Sequence, residues 1–292
     1  MFNKKIAVLM GGISSEREIS IKTGEAIYNA LIKKGYDAIK IDVDKNFLKN
    51  LYNYKFDIAF IALHGKYGED GIMQGILEFA KIPYTGTSVM GSAVSMNKII
   101  TKRIFQALGI LTPKFWLEKG DEIEFPVVVK PVAEGSTLGI SIVNQEKDLS
   151  KAIDEAKKFS DKIFFEEYIK GQEITVSVLC GRALPVIEIR PKKGFYDYES
   201  KYNKGMTEYI IPAQIDKEVE DRVKYESELI FKELNCRGAI RVDFIVKDNN
   251  AYALEVNTIP GMTPTSLLPK AANYIGLSFE DVVEEILKDA RL

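Results

Sequence analysis

Short apolar runs that end in glycine and are followed by helical patterns constrain the fold of this chain most. The periodicity predicts three strands and two helices, with strands over 6–10, 37–43 and 56–63 and helices from after 18 to about 34 and over 72–80. Strands that alternate with helices form a parallel sheet, whose ligands bind at the carboxyl ends of the strands. Gly11-Gly12 and His64-Gly65 both lie at that predicted edge.

The remainder of the chain is richer in strand patterns. Beyond a predicted helix from about 95 to 108, the strands and helices are predicted over 125–130, 140–143, 149–159, 163–168, 173–180, 183–190 and 217–234, with a hairpin over 238–257. A chain of 292 residues is typical of two or three domains. We predict an α/β and α+β fold in three parts: a parallel-sheet N-terminal domain over 1–95, a central part over 96–172 and a C-terminal part over 173–292.

Composition excludes several classes of function. Forty Lys and Arg against 42 Asp and Glu give a formal net charge of −2, so the bulk composition does not favour nucleic acid as a partner. His64 is the single histidine and the two cysteines form no CxxC, so any metal must have oxygen ligands, which favours magnesium, calcium or manganese.

No apolar run approaches the roughly 20 residues that span a bilayer, and the first apolar run, over residues 6–10, is too short for a signal peptide. We therefore expect a cytoplasmic protein without a membrane partner.

The hairpin carries the most informative group of polar side chains. If it is centred on Asn249, Asp243 lies opposite Glu255 and Arg241 opposite Asn257, with all four side chains on one face. Two facing carboxylates repel unless a positive charge lies between them, and a divalent cation would supply that charge. The alternative interpretation is a solvated strand face with scattered acids.

Other candidates are weaker when taken singly. The small residues of 135–139, together with Lys130 at a strand end, can surround an anion, although an ordinary Gly-rich turn has the same composition. Lys98 alone predicts a solvated lysine at a helix start. Glu16 is also explained as a helix N-terminal acid, and His64 as a core histidine.

The polar aromatic segment 196–202 (YDYESKY) could cover a site and bring hydroxyl groups and an ammonium group to it. An exposed aromatic loop resting on the core is the equal alternative.

Taken in order, these segments resemble the D-alanine:D-alanine ligases of the ATP-grasp superfamily, over essentially the whole chain. The motifs that carry the resemblance are 11–20 (GGISSEREIS), 62–65 (ALHG), 68–71 (GEDG), 83–86 (PYTG), 96–98 (MNK), 129–131 (VKP), 134–136 (EGS), 196–202 (YDYESKY), 241–243 (RVD) and 255–263 (EVNTIPGMT). Each motif is weak alone, but their order and spacing are highly specific. The resemblance implies a two-part ATP-grasp module after the N-terminal domain.

The resemblance also implies a reaction. The family joins two D-alanines at the expense of ATP, through an acyl-phosphate and a tetrahedral intermediate, for peptidoglycan precursor synthesis. A ligase with D-lactate or D-serine as second substrate is the enzymatic alternative, and Tyr202 argues for D-alanine. A catalytically silent nucleotide-binding regulator is the non-enzymatic alternative. It predicts gaps among the metal ligands or at the oxyanion arginine, and none is seen.

Site residues follow from the same resemblance. Asp243, Glu255 and Asn257 would hold one or two Mg²⁺ or Mn²⁺ ions. The ATP site would include Lys98, Lys130, Glu134, Ser136, Glu166, Tyr168, Ile169, Glu173 and Lys201. The two D-alanines would contact Glu16, His64, Ser266 and Leu267, while Arg241 and the N–H of Gly261 would stabilise the oxyanion. Glu16, Ser136 and Tyr202 would link the substrate site to the covering loop, and the family commonly forms homodimers.

Overall fold

The computed structural model describes residues 3–120, 122–135, 137–192 and 206–292. The helices are α1 Arg17–Lys33, α2 Phe47–Asn50, α3 Ile72–Phe79, α4 Val89–Met96, α5 Lys98–Ala107, α6 Leu149–Lys157, α7 Lys217–Glu233, α8 Leu267–Tyr274 and α9 Phe279–Lys288. The strands are β1 Lys5–Met10, β2 Asp37–Asp42, β3 Ile58–Ile61, β4 Phe115–Trp116, β5 Val127–Pro131, β6 Ser141–Val143, β7 Ile163–Glu167, β8 Gln172–Leu179, β9 Arg182–Ala183, β10 Ile187–Pro191, β11 Thr207–Ile210, β12 Ala239–Lys247 and β13 Asn250–Asn257. Within these residues, no helix is long and apolar enough to cross a membrane.

The N-terminal sheet is parallel, in the order β2-β1-β3. Its central strand β1 is apolar from Ile6 to Met10 because both of its faces are buried. The carboxyl ends of β1 and β3 therefore point to the same edge, where Gly11 and His64 follow. The predicted strand, turn and helix pattern is confirmed here.

Two antiparallel sheets make up the rest of the fold. One has the order β4-β7-β5-β6, and the other has the order β11-β10-β8-β12-β13 with β9 beside β8. The predicted α/β and α+β class is confirmed. Each predicted part, 1–95, 96–172 and 173–292, corresponds to one sheet, except that β8 of the last sheet begins at Gln172. Those boundaries stay predictions.

The C-terminal helices α8 and α9 close over the N-terminal sheet and were not predicted. Leu268 of α8 and Val282 of α9 share one apolar core with Ile6 and Val8 of β1. Burial of each such side chain stabilises the fold by roughly 1.5–3 kcal/mol. The first and last segments of the chain are thus held against each other around a common core.

The predicted helix from about 95 to 108 is confirmed as α5, and the helix α4 directly before it was not predicted. Asn97 separates them with an extended backbone, and its side-chain oxygen accepts a hydrogen bond from the N–H of Ile100 at 3.1 Å. Asparagine side chains favour this N-cap position because they satisfy a free N–H of the first turn. The break makes Lys98 the first residue of α5.

Candidate active site

A cleft of about 560 Å³ lies where the N-terminal sheet edge meets the hairpin β12–β13 and the start of α8. Ten residues that the sequence singled out line it: Glu16, His64, Lys98, Glu134, Arg241, Glu255, Asn257, Gly261, Ser266 and Leu267. These residues come from all three predicted parts of the chain. The packing of α8 and α9 on the N-terminal sheet brings the first and the last of them together.

The N-terminal edge contributes Glu16 and His64. Glu16 occupies the N-cap position of α1 and is 9% exposed. Gly65 has a positive φ of 67°, and a Cβ there would lie 2.6 Å from a Glu16 carboxylate oxygen, so only glycine permits this approach. His64 is buried, with Nε2 3.0 Å from Thr23 Oγ1 and Nδ1 3.4 Å from Glu69 Oε1. The histidine is therefore both buried and part of the cleft wall.

The hairpin register at the cleft is the predicted one. Arg241 pairs with Asn257 and Asp243 with Glu255. The prediction of a turn centred on Asn249 is wrong, because the turn consists of Asp248 and Asn249, both with positive φ. A β-bulge after Asp243 shifts the register by one residue and so restores the predicted pairs at the cleft.

The charges on this face are balanced by side chains of the protein itself. Arg241 donates from Nε and Nη2 to the two carboxylate oxygens of Asp243 at 2.8 and 2.9 Å, and Thr175 Oγ1 donates to Asp243 at 2.6 Å. Lys98 Nζ lies 2.9 Å from Glu255 Oε2. The prediction that the two facing acids need positive charge is met by Arg241 and Lys98, so a dication is not required to make them tolerable.

Lys98 is not the solvated lysine that it would be in isolation. It is 8% exposed, and besides its pairing with Glu255 it donates to the backbone carbonyl of Glu134 at 2.7 Å. Burial and the nearby charge of Glu16 raise the pKa of Glu134, while Lys98 opposes this shift. The cleft thus places a cation between several acids.

Metal-binding capacity rests on oxygen atoms. Among the residues that the structure describes, no group of three or more His, Cys, Asp or Glu could hold a metal ion. Asp243 and Glu255 supply two carboxylates on one hairpin face, and Asn257 adds an amide oxygen that accepts from the Ile259 N–H at 3.1 Å. These oxygen donors suit Mg²⁺ or Mn²⁺.

A second ionic group lies behind the cleft. Glu166 of β7 is 2% exposed and forms two ion pairs, through one oxygen with Lys130 of β5 and through the other with Lys102 of α5 at 2.5 Å. Although burial favours the neutral acid, the two ammonium groups hold the pKa of Glu166 below its ordinary value. Burial lowers the pKa of Lys102 to about 8. Sequence reasoning missed Lys102, which has no motif of its own.

The residues named from the sequence are not all part of the cleft wall. Lys130, Glu166, Tyr168, Ile169, Glu173 and Asp243 do not line it, and Ser136, Lys201 and Tyr202 lie outside the described residues. Sequence reasoning assigned no role to several other lining residues, among them Lys22, Thr23, Glu69, Tyr209 and Thr263. Of these, Glu69 and Thr263 stood within quoted motifs, but the contact of Glu69 with His64 could not be predicted from spacing alone.

The start of α8 closes the far side of the cleft. Ser266 is the N-cap residue of α8, and its Oγ accepts from the N–H of Thr263 at 3.1 Å. A Cβ on Gly261 would approach Ser266 Oγ to 3.1 Å, so a larger residue would crowd this corner. The backbone N–H of Leu267 belongs to the first turn of α8, where unpaired N–H groups favour an anion.

Solved ligase structures share this architecture over nearly the whole chain. The crystal structure of D-alanine–D-alanine ligase from Bacillus anthracis complexed with ATP has a TM-score of 0.85 and 35% identity, covering 98% of this chain and 97% of that one. The crystal structure of VanG D-Ala:D-Ser ligase from Enterococcus faecalis has a TM-score of 0.84 and 31% identity, covering 98% and 99%. The fold is therefore similar to that of these ligases.

Sequence comparison narrows this class to a family. D-alanine–D-alanine ligase from Syntrophotalea carbinolica is 49% identical over 295 residues, covering 99% of this chain and 97% of the relative, and that from Geotalea uraniireducens is 49% identical over 298 residues, covering 99% and 96%. Family models for the D-ala D-ala ligase N-terminus match residues 5–53 and 47–87, and the model for the C-terminus matches 89–288. The chain belongs to the D-alanine–D-alanine ligase family.

Proposed function

We propose that this protein joins two D-alanines into D-alanyl-D-alanine while ATP is converted to ADP and phosphate, and that the dipeptide serves peptidoglycan precursor synthesis. The observation that carries the proposal is the composition of one cleft. The cleft is lined by Glu16, which can bind an ammonium group, and by Arg241, which can stabilise an oxyanion. It is also lined by Glu255, a carboxylate for the phosphate end, and by Ser266 at the start of α8. All four side chains can therefore act on the same small substrates.

The first D-alanine binds at the N-terminal edge. Glu16 accepts its ammonium group, because a buried carboxylate without bulk water around it pairs strongly with a cation. His64 lies beside it with its ring fixed between Thr23 and Glu69. This places the substrate carboxylate toward the hairpin, where the phosphoryl group is transferred.

ATP binds along Lys98 and Lys130, with Glu134, Ser136 and Lys201 near the phosphates and Glu166, Tyr168, Ile169 and Glu173 toward the base. A carboxylate oxygen of the first D-alanine attacks the γ-phosphorus, and the bond to the β-phosphate oxygen breaks to release ADP. Such a transfer depends on positioning and charge neutralisation rather than on a covalent nucleophile of the protein. Asp243, Glu255 and Asn257 would hold Mg²⁺ or Mn²⁺, which supplies charge neutralisation at the phosphates when bound.

The second D-alanine completes the reaction. Its carboxylate binds Ser266 and the N–H of Leu267 at the start of α8, and its amine attacks the acyl carbon. Arg241 and the N–H of Gly261 stabilise the resulting oxyanion, and phosphate leaves as the amide forms. Tyr202 favours D-alanine as the second substrate, and Glu16, Ser136 and Tyr202 link the substrate site to the covering loop.

The test is a product assay. The purified protein is incubated with ATP, Mg²⁺ and D-alanine, and ADP, phosphate and dipeptide are measured, with L-alanine as the matched control. We expect one ADP and one phosphate for each D-alanyl-D-alanine, and no dipeptide from L-alanine. Equimolar D-lactate or D-serine is then added with D-alanine. Preferential formation of the mixed product would contradict D-alanine as the second substrate.

We also propose a cytoplasmic homodimer. ATP as substrate favours the cytoplasm. An apolar surface around α3 supports self-association, because Leu48, Tyr52, Ile72 and Phe79 are 59, 77, 45 and 86% exposed around one groove. Phe79→Glu should halve the mass found by light scattering, whereas Tyr225→Glu on α7 should not. A monomeric parent protein would contradict the proposal.

A further inference from the structure

Lys102 occupies an unusual position for a lysine. It is 0% exposed, on the same face of α5 as Lys98 and one turn after it. Its ammonium group lies 2.5 Å from Glu166 Oε2, donates to Thr112 Oγ1 at 2.7 Å and lies 5.8 Å from the centroid of the Phe115 ring. A buried ammonium group is unfavourable unless paired, so the site around it is built to hold the charge.

The support behind Lys102 is rigid. Thr112 Oγ1 donates in turn to the carbonyl of Ala253 in β13 at 2.7 Å, which links Lys102 to the hairpin that lines the cleft. Glu166 lies on β7, which pairs with both β4 and β5. Lys102 therefore links the two antiparallel sheets through its ion pair with Glu166 and its hydrogen bond to Thr112.

The charge of this buried group does not cancel. Lys102 and Lys130 carry two positive charges and Glu166 carries one negative charge, so the triad has a surplus of one positive charge. Lys102 has no exposed surface, whereas the Lys130 side chain is 11% exposed. The surplus charge can therefore reach a ligand only through Lys130.

We propose that Lys102 is a positioning residue for the nucleotide, which neutralises Glu166 from behind so that the charge of Lys130 is available to the phosphates of ATP. This inference rests on the proposed function, since it assumes that Lys98 and Lys130 contact ATP. Without Lys102, Glu166 would pair with Lys130 alone, and the surplus positive charge would be lost.

The net charge of the triad predicts the order of phosphate affinities among variants. Lys102→Met should weaken binding of a polyphosphate roughly tenfold or more, because it removes the surplus charge and leaves Glu166 to capture Lys130. The double variant Lys102→Met with Glu166→Gln restores the surplus of one and should return the affinity for tripolyphosphate, which lacks the base that Glu166 is proposed to contact, to within about threefold of the parent protein. Arg103→Met, one residue along α5 on the exposed face, removes the same charge and is the matched control.

Calorimetry at pH 7 provides the measurement, with two probes in Mg²⁺ buffer. Inorganic tripolyphosphate reports binding at the phosphate end alone, and the non-hydrolysable analogue AMP-PNP reports binding of the whole nucleotide.

In turnover assays, Lys102→Met should raise KM for ATP, while KM for D-alanine stays within about twofold of the parent. A general loosening of the fold would not separate the two KM values in this way. Equal tripolyphosphate affinity in Lys102→Met and the parent, or equally weak binding in the single and double variants, would overturn the proposal.

A second comparison keeps the test decisive if Lys102→Met does not fold. Glu166→Gln alone carries one more positive charge than the double variant, so it should bind tripolyphosphate more tightly, and equal affinities would overturn the inference. A parent protein that binds neither probe would refute the proposed function itself. Binding by the parent with the wrong ranking of variants would refute the role of Lys102 alone.

Discussion

The hairpin face and the buried triad behind it balance charge in different ways. On the hairpin, Asp243 pairs with Arg241 and Glu255 with Lys98, and these side chains are 9 to 30% exposed. In the triad, one acid is shared by two lysines at 0 to 11% exposure. Partly exposed pairs can exchange partners when a ligand arrives, whereas the buried triad cannot rearrange without exposing an unpaired charge. Substitutions on the hairpin should therefore affect chemistry first, and those in the triad should affect stability and nucleotide affinity.

The largest effect is expected at Glu255. Glu255→Gln removes a proposed metal ligand and the partner of Lys98, so turnover should fall on the order of a thousandfold. The free energy of unfolding should change by less than about 1 kcal/mol, since the pair is partly exposed. Asp248→Asn in the turn of the same hairpin is the control. Wild-type phosphate release by Glu255→Gln would remove this residue from the proposed metal site.

The triad should give the opposite result. Lys102→Met leaves Glu166 with one cation in a buried site and should lower the free energy of unfolding by about 3 kcal/mol, measured by urea denaturation. Adding Glu166→Gln should recover only part of that loss, because the buried acid is then neutral but Lys130, whose side chain is 11% exposed, has lost its partner. If Lys102→Met is as stable as the parent protein, the triad and the hairpin face do not differ in their contribution to stability.

Arg241 sharpens the comparison within the hairpin. Arg241→Ala should lower kcat on the order of a hundredfold, as expected for loss of one oxyanion donor, with KM for ATP within about threefold of the parent. Arg182→Ala, an exposed arginine on β9, serves as the control. Equal effects on kcat and on ATP affinity would assign Arg241 to binding instead.

The smallest effect concerns pH. Because the pKa of Glu134 is raised by burial and by the charge of Glu16, Glu134 should gain its proton at a higher pH than an ordinary glutamic acid. Protonation removes negative charge beside the ammonium site, so kcat/KM for D-alanine should fall as pH decreases through that range. In Glu134→Gln this titration is absent, and the acid limb should move to lower pH. An unmoved limb would mean that another group controls it.

The hairpin shows how much the sequence could predict. The alternation of polar and apolar residues predicted which side chains share a face of the hairpin. The position of the turn was wrong and the β-bulge was not predicted, but these two errors in register cancel at the pair Asp243 and Glu255. Lys98 and Lys102 show the limit of this reasoning. Their burial depends on β7 and β13 packing against α5, and local periodicity carries no information on such contacts.

The C-terminal helices were missed although one signal was present. Ser278 and Asp281 form a capping box at the start of α9, with reciprocal hydrogen bonds of 3.1 and 3.0 Å. This spacing before an apolar run predicts a helix start. That α9 packs on α1 could not be read from spacing, because it depends on the complementarity of two apolar faces far apart in the chain.

Isotope transfer tests the central claim most directly. D-alanine labelled with ¹⁸O in its carboxylate is incubated with ATP, Mg²⁺ and the protein, and the released phosphate is analysed by mass spectrometry. Attack of the carboxylate on the γ-phosphorus predicts one ¹⁸O atom in phosphate for each dipeptide formed from fully labelled substrate. Dipeptide formation with unlabelled phosphate would contradict an acyl-phosphate, and with it the account of how this cleft works.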